Sequence, residues 1–347
     1  MKFINPITFI NWNDFVLQNE NYSVFHSAEW CKLLNVTYGY KPYYLTKING
    51  KNFDLMIPVM EVNSIFTGAR LVSLPFTDYC DPIVDTNYSF NDIINSVGNI
   101  LKAKKLNYFD IKGGARFFDK EKIFNDGYLH KLNLDFKENF LYSNLQSSNK
   151  RNIKKAIKEG VQIRFSKDYK SIVEFYKLNL LTRQRHGIPP QPFQFFKNLY
   201  NILIQNNMGE TIEALYNNRV IASSLFLLFN KKVIYKYGAS DYKYQNLRAN
   251  DLLFWEAIKH YRELNFEEFC FGRTEKDHVT LRQFKLGWGV RELEAPYFRY
   301  NFKKKVFVTN QNFSYSFSGN LGINKYTSKL PVPILKLIGT IAYRHIG

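Results

Sequence analysis

The sequence predicts an α+β chain of two like halves, each a mixed, mostly antiparallel sheet flanked by helices. Two observations predict it. From Val233 to Thr274 a strand, a polar loop, a long amphipathic helix and a second strand follow one another without a break. The order helix, antiparallel meander, helix, strand also occurs twice along the chain. With 347 residues, 45% hydrophobic and 17% aromatic, there is material for two globular cores.

In the first half a helix is expected over 27–35, with Trp30, Leu33 and Leu34 facing inward. Strands at 42–48 and 53–61 flank Asn49-Gly50, a hairpin turn signal. A strand at 70–74, the loop 75–82, a helix at 91–104 and a strand at 108–111 complete that half. The second half opens with a helix over 144–159 and a strand over 162–165. Helices at 170–185 and 193–206 flank His186-Gly-Ile-Pro-Pro-Gln-Pro192, where the prolines forbid helix.

A meander follows at 211–216, 220–229 and 233–237, turning at Asn217-Asn218 and Asn230-Lys231. Its last strand is expected to stop at Gly238. A polar loop over 240–250 leads to a helix capped by Asn250 or Asp251, with Leu252, Leu253, Trp255, Ile258 and Tyr261 on its buried face. A strand over 266–271 ends at Gly272, Arg273 and Thr274, and a helix is expected over 279–286. The domains are expected at 1–140 and 141–300. Residues 301–347 form an extension, with a peripheral tail at 302–317 and a short apolar helix over 330–343.

Composition and absences narrow the function. No secretory leader is expected, nor an apolar run long enough to span a bilayer. Cys31, Cys80 and Cys270 fit no zinc or disulfide pattern and imply a reducing cytoplasm. No serine elbow, zinc-protease motif, phosphate loop or dinucleotide fingerprint occurs, and six unpaired histidines argue against a metal. The net charge of +18 favours a polyanion or an anionic membrane surface. Its densest cluster is Lys150, Arg151, Lys154, Lys155 and Lys158, a stripe on one helix. Sequence alone weighs it evenly against a solvated face.

Several segments carry a more specific signal. These are Asn149-Lys-Arg-Asn-Ile-Lys-Lys-Ala-Ile-Lys-Glu-Gly160, Thr182-Arg-Gln-Arg-His-Gly187, Tyr237-Gly-Ala-Ser-Asp241, Asn250-Asp-Leu-Leu-Phe-Trp255, Phe271-Gly-Arg-Thr274 and Phe284-Lys-Leu-Gly-Trp-Gly289. Phe25-His-Ser-Ala-Glu-Trp30 and Leu74-Pro-Phe-Thr-Asp-Tyr-Cys-Asp-Pro82 add to it. Together they resemble the FemAB-like branch of the GNAT acyltransferase superfamily, which holds tandem GNAT domains and includes peptidoglycan-bridge aminoacyltransferases. The resemblance implies acyl or aminoacyl transfer onto an amine of a cell-envelope precursor, either an amino sugar or a peptidoglycan stem peptide. The alternative is a non-catalytic nucleic-acid or membrane-surface binder that keeps a degenerate GNAT fold.

Such a transfer builds negative charge on a carbonyl oxygen and needs the attacking amine to lose a proton. Lys285 matches the lysine of the family's Phe-Lys motif and is the candidate transition-state stabiliser. Asp241 is the candidate to orient or deprotonate the amine, and Tyr237 to donate a hydrogen bond; a turn cap and a core ring are the equal alternatives. Lys150, Arg151, Lys154, Lys155, Arg183, Arg185 and Arg273 are candidates for donor phosphate. Asp78, Tyr79, Asp81 and His186 are candidates for the acceptor, although His186 reads first as a helix terminator.

The segment 244–250 lacks the glycines with which acetyl-CoA-dependent GNAT enzymes bind pyrophosphate. The donor is therefore left open between aminoacyl-tRNA and acyl-CoA, with no metal. tRNA and the inner membrane face are the further partners considered, and the sequence does not fix the oligomeric state.

Overall fold

The structure, a computed structural model, describes residues 1–65, 68–84, 88, 90–104, 106–118, 121–310 and 327–346. The chain forms two compact units. One comprises Met1–Tyr128, Glu294–Ser314 and Ala342–Gly347; the other comprises Leu129–Leu293 and Tyr315–Ile341. The sequence reading divides the chain at 140 and 300. The return of 294–314 has a simple cause, because strand Tyr297–Asn301 pairs antiparallel with Tyr108–Lys112 and so completes the first unit's sheet.

The first unit contains two sheets. One has the order Lys2–Ile4, Tyr44–Asn49, Asn52–Ile57, Ile83–Val84. The other has the order Val306–Phe307, Tyr297–Asn301, Tyr108–Lys112, Gly68–Val72, Met60–Ser64, Lys41–Pro42. The single strand expected over 53–61 is thus two strands in two sheets. Pro58 follows Ile57, and without an N–H it cannot carry the ladder onward. Helix Ala28–Tyr38 forms where expected: Ser27 Oγ accepts from Trp30 N at its start, and Trp30, Leu33 and Leu34 are buried. The expected tail at 302–317 lies partly outside the described residues.

The second unit is built on a seven-stranded sheet with the order Gln162–Ser166, Gly209–Tyr216, Arg219–Phe229, Lys232–Ser240, Glu268–Glu275, Gly127–Asn133, Arg291–Glu294. The first four strands are antiparallel neighbours, whereas Lys232–Ser240 and Glu268–Glu275 run parallel because helix Ala249–Glu263 crosses between them. Leu252, Leu253, Trp255, Ile258 and Tyr261 are all buried, and they pack with Phe226, Phe269, Phe271 and Trp288. Each such side chain contributes about 1.5–3 kcal/mol on burial.

The helix expected over 144–159 is Ser147–Lys158; a separate helix, Glu138–Ser143, precedes it, and between the two Gln146 N donates to Gly287 O. The strand expected to stop at Gly238 runs to Ser240, held by pairs with Ala222, Ser223 and Ser224. The strand expected over 266–271 and ending at Gly272, Arg273 and Thr274 is Glu268–Glu275, with Gly272 in a left-handed conformation at φ +75° within it. The apolar segment near the C-terminus is helix Val332–Ile346, and no described helix is long and apolar enough to cross a membrane.

Candidate active site

The parallel register of Lys232–Ser240 with Glu268–Glu275 spans three pairs, Lys232 with Glu268, Val233 with Phe269 and Ile234 with Cys270. Beyond them the two strands part. On the antiparallel side Tyr237 pairs with Leu225 and Tyr235 with Phe226, so Lys236 is the extra residue of a β-bulge. The bulge breaks the two-residue alternation. Tyr235 therefore packs on Phe226 and Phe254, while Tyr237 packs on Phe175, Phe195 and Phe196.

At the end of this strand Ser240 exchanges hydrogen bonds with Thr182 Oγ1, 3.1 Å from Ser240 N and 3.2 Å to Ser240 O. Asp241 then starts the 3-10 helix Tyr242–Leu247: its Oδ1 accepts from Lys243 N at 3.1 Å. Its Oδ2 lies 3.2 Å from Arg219. The buried Asp241 is thus both a turn cap and one half of an ion pair.

A cavity of about 510 Å³ opens beside it, lined among others by Asn149, Arg185, Asp241, Tyr244, Arg248, Asp251 and Phe284. Asn149 is buried and its Nδ2 has no hydrogen-bond partner. A buried amide donor without a partner costs about 1–3 kcal/mol and marks a place where a ligand acceptor would be bound.

Helix Ala249–Glu263 begins at this cavity. Arg248, at φ +59°, precedes its first turn, so the cap expected at Asn250 or Asp251 is displaced by two or three residues. Asp251 lies inside the first turn instead and accepts from Asn152 Nδ2 at 3.2 Å. Burial raises its carboxyl pKa, partly offset by that hydrogen bond and by Arg248. The positive end of the helix already faces a carboxylate of the chain itself.

Lys285 sits on helix Val279–Leu286 and is 4% exposed. Its Nζ donates to Gly272 O at 3.0 Å and to Arg273 O at 3.2 Å. The left-handed turn at Gly272 sits where the strand presents these carbonyls, so the motif lysine is fixed against strand Glu268–Glu275.

Residues 143–285 match the protein-family model for an acetyltransferase (GNAT) domain. FemX has the same fold, with a TM-score of 0.67 at 16% identity over 84% of this chain and 96% of that one. The fold is that of FemX, with a GNAT domain within it. L-PGS from Bacillus licheniformis superposes with a TM-score of 0.54 at 13% identity, covering 96% of this chain and 95% of its own. A tandem GNAT protein from the clavulanic acid biosynthesis pathway gives 0.53 at 7% identity, covering 83% and 92%. No curated protein sequence matches the chain.

Within this GNAT domain the cavity brings Asp241 and Arg185 together, and Arg185 also stacks over Tyr242 and donates to His186 Nε2. Lys285 and Tyr237 are not among the residues lining it. Tyr237 faces the rings of Phe195 and Phe196, the packing role weighed against a catalytic one. Arg273 contributes its carbonyl to Lys285.

Lys150, Arg151, Lys154 and Lys155 project from helix Ser147–Lys158, whose buried side is Asn149, Ile153 and Ala156. Lys150 lies over the Tyr142 ring and donates to Ser143 O, and Arg151 donates to Ser147 Oγ. Arg183 belongs to the last turn of helix Tyr169–Arg185, and His186 closes that helix, its N–H donating to Thr182 O. Partial burial, then the charges of Arg185, Arg183 and His278, hold the imidazole pKa below its ordinary value.

The remaining candidates lie in the first unit. Asp81 Oδ1 accepts from Gly114 N at 2.6 Å and from Tyr79 Oη at 3.3 Å, and Asp78 O accepts from Tyr297 Oη at 2.5 Å. Burial, reinforced by Asp81, pushes the Tyr79 hydroxyl pKa far up. These contacts stitch the loop to its own unit.

Residues that the sequence reading missed surround Lys285. His130 Nε2 lies 3.0 Å from Glu292 Oε1, and Arg282 clamps Glu292 with two contacts of 2.7 Å. His130 comes from strand Gly127–Asn133, for which no element was expected. The alternation of Lys131 and Asn133 with Leu132 and Leu134 is the local signal that would have revealed it.

Proposed function

We propose that the second unit transfers an aminoacyl or acyl group from an activated donor in the 510 Å³ cavity to an amine of a cell-envelope precursor, an amino sugar or a peptidoglycan stem peptide. The observation that carries this is the parted pair of parallel strands within a GNAT domain, with the motif lysine buried against one of them. In the reaction the amine nitrogen attacks the donor carbonyl carbon, and the charge that develops on its oxygen is assigned to the Lys285 ammonium, which lies next to the cavity-lining Phe284 and would have to turn from the Gly272 and Arg273 carbonyls to reach it. Asp241 takes the proton that the amine loses. Collapse breaks the bond to the leaving group and regenerates the carbonyl. A degenerate, purely binding protein is disfavoured, since residues 143–285 match an acetyltransferase (GNAT) domain and the motif lysine lies at its end.

Aminoacyl-tRNA is the donor this reading favours over acyl-CoA. Asp251 sits in the first turn of the helix where a pyrophosphate would otherwise be drawn, and a second carboxylate, Asp241, shares the cavity. Arg185, Arg248 and the basic helix Ser147–Lys158 offer contacts to a nucleic-acid backbone. Supplied separately with charged tRNA and acyl-CoA, the purified protein is expected to acylate an amine acceptor from the tRNA alone, and ribonuclease pretreatment should abolish the transfer. Turnover that survives ribonuclease and follows acyl-CoA would overturn the donor assignment.

Peripheral contact with an anionic membrane belongs to the same reading. On helix Val332–Ile346, Ile334, Leu337 and Ile341 are 45%, 62% and 53% exposed along one stripe, with Lys336 and Arg344 exposed beside it. Apolar side chains of such a helix insert at the headgroup level while each nearby cation gains about 1 kcal/mol from anionic lipid. The protein is expected to sediment with phosphatidylglycerol-containing vesicles but not with pure phosphatidylcholine, and Leu337→Glu should release it. Equal sedimentation of the Leu337→Glu protein would remove this helix from the contact.

A further inference from the structure

His130 is fully buried, and both groups nearest its ring are hydrogen-bond acceptors. Nε2 lies 3.0 Å from the Glu292 carboxylate and Nδ1 lies 3.4 Å from the Gly272 carbonyl oxygen. A neutral imidazole has one N–H to give. The shorter contact, to a charged acceptor, takes it, so the ring donates through Nε2 and turns its Nδ1 lone pair towards Gly272. That carbonyl is the one to which Lys285 Nζ donates at 3.0 Å.

We propose that His130 is a positioning residue for Lys285. Neutral, it leaves the Gly272 carbonyl to the ammonium. Protonated on Nδ1, it donates to the same carbonyl and sets a second positive charge beside the lysine. Glu292 holds the imidazole orientation and is itself held by the bidentate contact with Arg282.

The charged groups around the ring are Glu292 on strand Arg291–Glu294 and Lys285 and Arg282 on helix Val279–Leu286. Strand Glu268–Glu275 contributes the Gly272 carbonyl, and the adjacent Lys131 pairs with Glu268 at 3.0 Å. Burial, and after it the Lys285 charge, lower the His130 pKa against the opposing pull of Gly272 and Glu292. The Arg282 contacts keep Glu292 below the usual carboxylate range. The site therefore favours the neutral ring and with it the undisturbed Lys285 contact.

The inference rests on the reading of Lys285 above, but its test measures protonation and not transfer, so the two fail separately. With ¹³C-labelled histidine, the His130 ring resonance is assigned by its loss in His130→Gln and titrated in the full-length protein. Its midpoint should lie below the ordinary imidazole value and rise by about one pH unit in Lys285→Met. Lys285→Gln, also neutral but still able to donate to both carbonyls, should give the same rise, and Lys285→Arg should leave the midpoint low. A midpoint equal in wild type and in a folded neutral variant would overturn the proposal, because an imidazole that shares the Gly272 carbonyl with Lys285 must sense the charge there.

Discussion

Replacing Lys285 by methionine is expected to lower turnover by about 10²–10³-fold, the loss that follows removal of one preorganised donor from a developing oxyanion. Methionine keeps most of the stem volume, so the packing around Phe284 and Trp288 should survive and the circular dichroism should match wild type. The comparison belongs at saturating donor and acceptor, where a loss in kcat marks an interaction made in the transition state. Near-normal turnover in a folded Lys285→Met protein would remove this residue from the chemistry. The effect should exceed that of any single substitution on helix Ser147–Lys158, where each cation contributes affinity and not charge stabilisation at the reacting atoms.

Gly339→Ala is expected to give the largest stability loss among single added methyl groups, about 1–3 kcal/mol. A Cβ at this position would overlap the carbonyl oxygen of Pro190, a backbone atom that cannot rotate away. Helix Val332–Ile346 must therefore shift from its seat on the turn 186–192. Thr327 Oγ1 donating to Gly187 O and Gln184 Nε2 donating to Leu330 O fasten the approach to that helix and would be strained together. The measurement is the urea midpoint, paired with limited proteolysis across 327–341. A variant with unchanged midpoint and unchanged cleavage would show that the seat is looser than its geometry.

Much of the fold was legible because its signals are local. The helix after the meander was readable from Leu252, Leu253, Trp255, Ile258 and Tyr261, and all five are buried. The meander turns were readable from asparagines, and Asn217, Asn218 and Asn230 do adopt positive φ. Strand ends were less legible. Gly238 looks like a stop in sequence, but a strand ends where its neighbours stop pairing, and Ala222 to Ser224 lie on another strand.

The candidate site divides in the same way. Lys285 was reachable through its motif and Asp241 through its place after a strand, while the bulge at Lys236 that turns Tyr237 towards Phe195 and Phe196 has no sequence signature. His130 and Glu292 are 162 positions apart and meet only because their strands are neighbours in the sheet.

The carboxylate in the first turn of helix Ala249–Glu263 has a consequence for anion binding. A helix start is a standing offer to any anion, and Asp251 takes up that offer from within the chain. Asparagine at the same position would leave the shape of the turn almost unchanged while vacating the electrostatic seat. The charge at position 251 therefore bears on which anion the helix start can recruit, with the sheet left as it is.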